Sequence, residues 1–268
     1  MAGVIRVGVG GWVFEPWREN FYPEGLRQKD ELAYAASRLG TIEINATYYG
    51  SQKRESFARW ASEVPEDFRF SVKGSRFCTN RRILAEAAGS VEKFFAQGVG
   101  ALGEKLGPIN WQVPATKRFE AEDFEDFLKL LPRSIDGVPL RHAIEARSET
   151  FADARFLSLA QRYGVAVVMA ADSDFPLLAA HTADFAFVRI MGTREGEAEG
   201  YPPEALDGWA RRLEVIARGE LPDDFPRIDG APQGNGAPAE VFVYVIDGNK
   251  PANPAAAMAL IARLPPVT

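Results

Sequence analysis

Short runs of apolar and β-branched residues alternate along the whole chain with segments whose apolar positions recur at helical spacing. The eight runs that predict strands are Val4–Val9, Thr41–Asn45, Arg69–Lys73, Pro108–Gln112, His142–Ala146, Ala166–Ala170, Phe185–Ile190 and Glu240–Ile246. The eight segments that predict helices are Lys29–Leu39, Glu55–Ser62, Ser90–Leu102, Ala121–Leu131, Asp153–Tyr163, Pro176–His181, Pro203–Ala217 and Pro254–Leu264. Glycines follow three of these helices, at Gly40, Gly164 and Gly219, where a left-handed C-cap favours glycine.

Eight strand–helix units in 268 residues predict a single α/β domain, a closed TIM-type (β/α)₈ barrel. The main alternative is a doubly wound open sheet. The first strand leads into Gly8-Val9-Gly10-Gly11-Trp12, which lacks the GxGxxG spacing of a dinucleotide-binding loop. The Pro/Gly-rich stretch Gly219–Pro238 is predicted to be a mobile excursion before the last strand, either a surface loop or a flap.

Composition narrows the function. With 31 basic and 37 acidic residues the chain carries a formal charge of −6, so we expect no general attraction to nucleic acid or anionic membranes. A local basic pocket remains compatible with that charge. No apolar run reaches the ~18 residues of a membrane span, and the first strand follows Met1 without a leader pattern, so a cytoplasmic location is expected.

Metal and thiol chemistry find little support in the residue types. Only two histidines are present, His142 and His181, so a multi-histidine metal cluster cannot be assembled, and we predict no metal and no other cofactor. A carboxylate-only magnesium site would have no diagnostic spacing here. Cys78 is the only cysteine, which excludes an intrachain disulfide, and we interpret it as a small buried thiol rather than a nucleophile.

Polar residues recur near the carboxyl end of nearly every predicted strand, which is where barrel enzymes bind their ligands. Side chains two residues apart share a face of a strand. The resulting groups are Glu43 with Asn45, Ser71 with Lys73, Asn110 with Gln112, and Glu145 with Arg147, followed by Arg189 and Asp247. We therefore predict a ligand site formed by Trp12, Asn45, Tyr48, Lys73, Arg76, Gln112, Arg147 and Arg189.

Burying such charges costs several kcal/mol unless they are paired. These residues therefore either form a compensated network or are completed by a bound ligand. Lys73, Arg76, Arg147 and Arg189 would together suit a carboxylate or phosphate. Glu43 and Glu145 are the candidate catalytic residues, which either orient the cations or transfer a proton as a general base. A purely structural salt bridge between Glu145 and Arg147 explains the same residues equally well. Trp12 and Tyr48 either wall the pocket or pack beneath the first loop.

Several segments resemble signatures of the YecE-like family, which is catalogued as domain of unknown function 72. These segments are Gly8-Val9-Gly10-Gly11-Trp12, Asn20-Phe21-Tyr22-Pro23, Ile42-Glu43-Ile44-Asn45-Ala46-Thr47-Tyr48-Tyr49, Phe68-Arg69-Phe70-Ser71-Val72-Lys73, Leu106-Gly107-Pro108, Trp111-Gln112-Val113-Pro114, Ala143-Ile144-Glu145-Ala146-Arg147 and Phe187-Val188-Arg189. The resemblance covers nearly the whole chain. It implies a TIM barrel of unassigned biochemical role. The family is sometimes compared with xylose-isomerase-like and endonuclease IV-like barrels, which would imply a phosphate or nucleic-acid ligand.

The chain departs from the family pattern at three places. Asn80 and Met191 stand where the family usually has histidines, and Val245-Ile246-Asp247 replaces the usual Phe-Asn-Asn. Losing two pocket histidines argues against a histidine-based or metal-dependent mechanism taken over from relatives.

Three hypotheses follow from the sequence. The favoured one is a metal-independent protein that binds a small phosphorylated or carboxylate ligand. If the protein is an enzyme, this ligand is also its substrate. The alternatives are a nucleic-acid-binding or DNA-processing barrel and a non-catalytic interaction scaffold.

Overall fold

In the computed structural model, which describes residues 3–231 and 236–265, parallel strands close into a barrel as the alternation predicts. The eight barrel strands are β1 (Ile5–Gly10), β2 (Thr41–Ile44), β3 (Arg69–Lys73), β4 (Leu106–Val113), β5 (His142–Ala146), β6 (Ala166–Ala171), β7 (Phe185–Ile190) and β8 (Glu240–Val245). Each strand pairs with its sequence neighbours, and β1 pairs with β8 to close the ring. The TIM-type fold is confirmed.

Helices cover the outside of this barrel. The longer helices among the described residues are α1 (Glu31–Ala36), α2 (Arg54–Ser62), α3 (Ala88–Ala96), α4 (Ala121–Leu130), α5 (Ala154–Arg162), α6 (Pro203–Ala217) and α7 (Asn253–Arg263). Short helical turns lie at Trp17–Asn20, Gln28–Asp30, Ala46–Tyr49, Arg76–Thr79, Leu84–Ala87, Val99–Lys105, Glu149–Phe151 and Lys250–Ala252. The predicted helix Ser90–Leu102 is divided because Gly98 adopts the left-handed conformation, with φ of 91°, between α3 and the following turn.

One predicted helix is wrong. Pro176–His181 forms neither helix nor strand, although Leu178 and Ala179 are buried. Six residues beginning with a proline supply too few backbone hydrogen bonds to offset helix nucleation. The imidazole of His181 bonds instead to the backbone oxygen of Glu220, 2.9 Å away. The crossover from β6 to β7 therefore runs as an extended loop.

Two hydrophobic layers stabilise the barrel. The larger layer lies between the strands and the surrounding helices. A smaller cluster fills the lumen with aromatic rings of β7 and β8, namely Phe185, Phe187, Phe242 and Tyr244. Gly8 allows β1 to lie close to β2, because a Cβ atom there would lie 1.7 Å from the backbone oxygen of Thr41. The lumen is thus filled below the polar residues of the mouth.

Two further segments complete the chain. A two-stranded hairpin of Ser134–Ile135 and Val138–Pro139, which the sequence analysis did not include, turns at Asp136-Gly137, and both turn residues have positive φ. Within Gly219–Pro238 the described residues form no helix or strand, yet Leu221 and Phe225 are buried. Residues 232–235 lie outside the described residues, and the mobility of this excursion stays a prediction. No helix in the described part of the chain is long and apolar enough to cross a membrane.

Candidate functional site

A buried ion-pair network lies at the carboxyl ends of the strands, across the top of the aromatic lumen. Arg189 of β7 contacts both predicted catalytic carboxylates: its Nη1 lies 3.0 Å from Glu43 Oε1 and 2.9 Å from Glu145 Oε2. Its Nη2 also donates to Glu43 Oε2 at 3.2 Å. The carboxylates are 0% exposed and the arginine is 2% exposed. Strands β2, β5 and β7 therefore meet in one charged layer, as their alternation predicts.

Asn110 of β4 completes this layer. Its Nδ2 donates to Glu43 Oε1 at 3.0 Å and to Glu145 Oε2 at 3.2 Å, so one amide bridges the two carboxylates. The sequence places Asn110 on the same strand face as Gln112, and the structure shows its amide holding two side chains of neighbouring strands. Both glutamates are thereby fixed by donors from two other strands, which makes their positions rigid.

Above the layer lies a pocket of about 320 Å³. Its lining includes five of the predicted site residues: Asn45, Tyr48, Lys73, Arg147 and Arg189. Arg147, next to the end of β5, is 20% exposed and its Nη2 lies 2.6 Å from Glu145 Oε1. Its guanidinium also stacks 4.2 Å from the ring centroid of Phe175.

Lys73, at the end of β3, differs from the two arginines. Among the described residues, no carboxylate lies within ion-pair distance of its Nζ, which sits 5.0 Å from the ring centroid of Tyr48. Burial lowers the pKa of Lys73, and Arg189 lowers it further, whereas Glu43 and Glu145 act in the opposite direction. Lys73 therefore brings into the pocket a basic group that has no ion-pair partner in the described part of the chain.

The carboxylate of Glu145 is held in its charged form. Burial alone would raise its pKa, but Arg189, Lys73 and Arg147 overcome that effect and lower it to about 2. For Arg189, burial alone would lower the pKa of the guanidinium. The two glutamates outweigh that effect, so the pKa is raised. At neutral pH Glu145 is thus an acceptor and a countercharge rather than a proton donor.

Two buried amide oxygens of this region lack a hydrogen-bond partner within the described part of the chain: Asn45 Oδ1 and Asn110 Oδ1. Asn45 lines the pocket, and its amide lies so near Gly10 that a Cβ there would come within 2.8 Å of Asn45 Nδ2. Buried acceptors normally find donors. A hydroxyl or amino group on a ligand is a suitable partner for Asn45.

Three predicted ligand residues are absent from the lining of this pocket. Trp12 packs edge-to-face against Trp60, with ring centroids 5.2 Å apart. Arg76 is exposed and lies beside Tyr49 and Phe77 on the rim. Gln112 is buried, in register with Glu145 on the neighbouring strand.

The loop after β8 contributes residues that the sequence analysis did not assign to the site. Lys250 and Asn253 line the pocket together with Asp247. Their signal was visible in the sequence, because they follow a strand at its carboxyl end, but Lys250 carries no motif. Asn253 Oδ1 accepts from the hydroxyl of Thr193 at 2.7 Å, so its side chain is fixed.

His142 and Cys78 lie in the protein interior, away from the lining of the pocket. Trp111 Nε1 donates to His142 Nδ1 at 3.1 Å, which leaves Nε2 to donate to Pro132 O at 2.7 Å. Cys78 is a free, buried thiol, as predicted, and burial raises its pKa to about 12. In residues 3–231 and 236–265 no three histidine, cysteine or acidic side chains come together as a metal site.

The barrel is similar to known proteins over nearly its full length. Residues 6–266 match the family described as protein of unknown function DUF72. The chain belongs to the DUF72 family. Among curated DUF72-like relatives, UPF0759 protein YecE of Escherichia coli K12 is 27% identical over 141 residues, which are 52% of this chain and 49% of YecE. UPF0759 protein YunF of Bacillus subtilis is 27% identical over 79 residues, 30% of this chain and 27% of YunF. The aligned part thus spans about half the length of YecE and about a quarter of the length of YunF.

Solved structures of DUF72 members share the barrel. A DUF72 family protein from Thermotoga maritima superimposes with a TM-score of 0.69 at 21% identity, covering 96% of this chain and 97% of that one. A DUF72 family protein from Enterococcus faecalis gives a TM-score of 0.64 at 18% identity, covering 98% and 99% of the two chains. At these identities the likeness establishes the fold.

Proposed function

We propose that this DUF72 protein binds a small anionic ligand, either a phosphorylated or a carboxylate metabolite, in the pocket at the mouth of the barrel. The observation that carries the proposal is the arrangement of basic groups around 320 Å³ of space. Lys73, Arg147, Arg189 and Lys250 line it, against Asp247 in the lining and the two glutamates beneath. Four basic groups thus face three acidic ones, and a bound anion would offset the excess.

The size and polarity of the pocket favour a small, hydroxylated ligand. Ligand pockets typically begin near ~300 Å³, so this one suits a metabolite of a few carbons. Arg147 would contact the anionic group, and Asn45 Oδ1, which has no partner among the described residues, would accept from a hydroxyl. The rigid Glu43–Asn110–Glu145 layer would keep these groups in place without reorganisation. The proposed ligand is a cytoplasmic metabolite, in keeping with the location that the sequence predicts.

The test is a thermal-shift and calorimetric panel of inorganic phosphate, sugar phosphates and small carboxylates. At least one anion should raise the melting temperature of the wild type. Arg147→Gln should weaken its binding about tenfold, or about 1.4 kcal/mol, because one charge-assisted contact is lost. Arg162→Gln, in an exposed ion pair with Glu125, is the matched control and should bind normally. An unchanged melting temperature across the panel would contradict the proposal.

Exposed aromatic residues on the rim support a second candidate, the binding of single-stranded nucleic acid. Tyr49 and Phe77 are 68% and 59% exposed, and the Arg76 guanidinium lies 6.0 Å and 5.3 Å from their ring centroids. Such a cluster can stack on bases and contact a phosphate. The formal charge of −6 opposes extended tracking of a backbone.

Fluorescence anisotropy with a labelled single-stranded oligonucleotide at low salt tests this second candidate. The double variant Tyr49→Ala, Phe77→Ala should weaken binding about tenfold through lost stacking. Ile261→Ala, an exposed apolar residue on α7, is the control. No anisotropy change with the wild type would exclude the candidate.

A further inference from the structure

Lys73 and Lys250 are the two basic groups of the pocket lining that have no ion pair among the described residues, and Lys73 is the one that a barrel strand holds. Arg189 is shared between Glu43 and Glu145, and Arg147 is paired with Glu145. The Nζ atom of Lys73 has no such partner among the described residues and lies over the face of Tyr48. A partly buried ammonium without an ion-pair partner is costly, so a purely structural role for Lys73 is poorly supported.

The surroundings of Lys73 favour a reactive amine. Burial lowers its pKa, and the nearby guanidinium groups of Arg189 and Arg147 lower it further. Desolvation and cationic neighbours are the two means by which proteins keep lysine nucleophilic near neutral pH. The amine also lies in the lining of the pocket, on a barrel strand rather than a flexible loop, so its position is defined.

We propose that Lys73 Nζ forms an imine with an aldehyde or ketone group of the anion that this pocket binds, so that the ligand is a carbonyl-bearing carboxylate or phosphate. This inference rests on the proposed function. It adds the chemical class of the ligand and a covalent step. Arg147 holds the anionic group and Lys73 faces the carbonyl carbon.

The step balances without an oxidant or a reductant. The amine lone pair forms the N–C bond while the C=O π electrons move to oxygen, which gives a carbinolamine. The two hydrogens of Nζ then leave with that oxygen as one water molecule, and a C=N bond remains. Protonation gives an iminium ion, whose positive charge Glu43 and Glu145 favour as they favour the charge of Lys73 itself. Because the pKa of Glu145 is about 2, its countercharge is present throughout the neutral range.

The test is reductive trapping of the full chain with sodium cyanoborohydride and a carbonyl-bearing anion: glyoxylate, pyruvate or glyceraldehyde 3-phosphate. The wild type should gain the mass of one ligand less one oxygen atom, and peptide mapping should place the adduct on Lys73. Lys73→Arg keeps the positive charge without a nucleophilic amine, and should lose the adduct. Lys129→Arg, which changes an exposed lysine paired with Asp126, should retain it. Inorganic phosphate should suppress trapping by competition.

A separate readout keeps this inference distinct from anion binding. Thermal shift of the wild type with the same anions, without cyanoborohydride, measures binding independently of trapping, and the melting temperature of Lys73→Arg without ligand shows that the variant folds. Anions that stabilise the wild type without any trapped adduct, or with adducts spread over surface lysines, would overturn the imine and leave the binding proposal intact. Anions that neither stabilise nor label the protein would overturn both.

Discussion

Both ends of the barrel contain ion pairs between arginine and glutamate, but the two networks differ in how many arginines serve each carboxylate. At the base, where the strands begin, Glu240 accepts from Arg6 at 2.6 Å and from Arg141 at 2.5 Å. The Arg141 guanidinium also stacks on the lumen rings of Phe185 and Phe242, with centroids at 5.3 Å and 4.9 Å. Two arginines thus serve one carboxylate, and aromatic faces cover one of them.

At the mouth, the fully buried Arg189 serves two carboxylates. Among the described residues, Lys73 has no ion-pair partner, and the amide oxygens of Asn45 and Asn110 accept no hydrogen bond. The base is a closed structural network. The mouth leaves polar and charged groups without partners among the described residues, which supports the proposed ligand site. An ion-pair network is therefore present at both ends, and the proposed site differs from the base by the unpaired Lys73 and Asn45 Oδ1 that line a pocket.

The largest expected effect comes from removing the arginine of the mouth. Arg189→Met leaves Glu43 without an ion-pair partner and Glu145 with Arg147 alone, and should destabilise the fold by about 3–5 kcal/mol in urea unfolding. Arg141→Met at the base should cost about 1 kcal/mol, because its side chain is 29% exposed and Arg6 still pairs with Glu240.

Neutralising the two glutamates tests whether their buried negative charge causes the loss of stability. Adding Glu43→Gln and Glu145→Gln to Arg189→Met should restore part of the lost stability, because neutral amides need no countercharge. Equal losses for Arg189→Met and Arg141→Met would remove the distinction between the two ends.

Acid should weaken the base before the mouth. The pKa of His142 is lowered by burial from 6.5 to about 4, so the unfolded chain binds more protons in this window, and stability falls as the pH drops through it. The full loss is about 3 kcal/mol. At the mouth, the lowered pKa of Glu145 places the corresponding loss between pH 4.5 and about 2. Burial also lowers the pKa of His181, which adds a loss of the same sign.

Urea unfolding at stepped pH measures both windows. His142→Gln has no titrating ring, and its stability should change less than that of the wild type as the pH falls to about 4. Parallel curves for the two proteins would show that His142 is not responsible.

The smallest effect tests the pocket itself. Gly10→Ala places a Cβ 2.8 Å from Asn45 Nδ2, the end of a flexible side chain, so the amide should move at a cost below about 1 kcal/mol. Anion affinity should nevertheless fall by a few-fold, measured by calorimetry. Gly89→Ala on α3, where an added Cβ meets nothing within 4 Å, should leave the affinity unchanged. Normal affinity in Gly10→Ala would show that Asn45 does not contact the anion.

Much of this architecture is local in origin. Alternation along β2, β5 and β7 predicts that Glu43, Glu145 and Arg189 face inward, because successive side chains of a strand point to opposite faces. The barrel joins those faces at one mouth. The hairpin at Asp136-Gly137 also had a local signal, since this dipeptide favours a turn with positive φ.

What the sequence by itself determined is which side chains face inward and at which end of the barrel they lie, because strand periodicity and parallel direction are properties of the local chain. Only the tertiary structure decided their partners. Distances across the lumen assign Arg189 to two glutamates and make Asn110 their bridge; they leave Lys73 unpaired and bring Lys250 to the pocket from the last loop. Pairing depends on distances between strands far apart in sequence, which no local pattern contains.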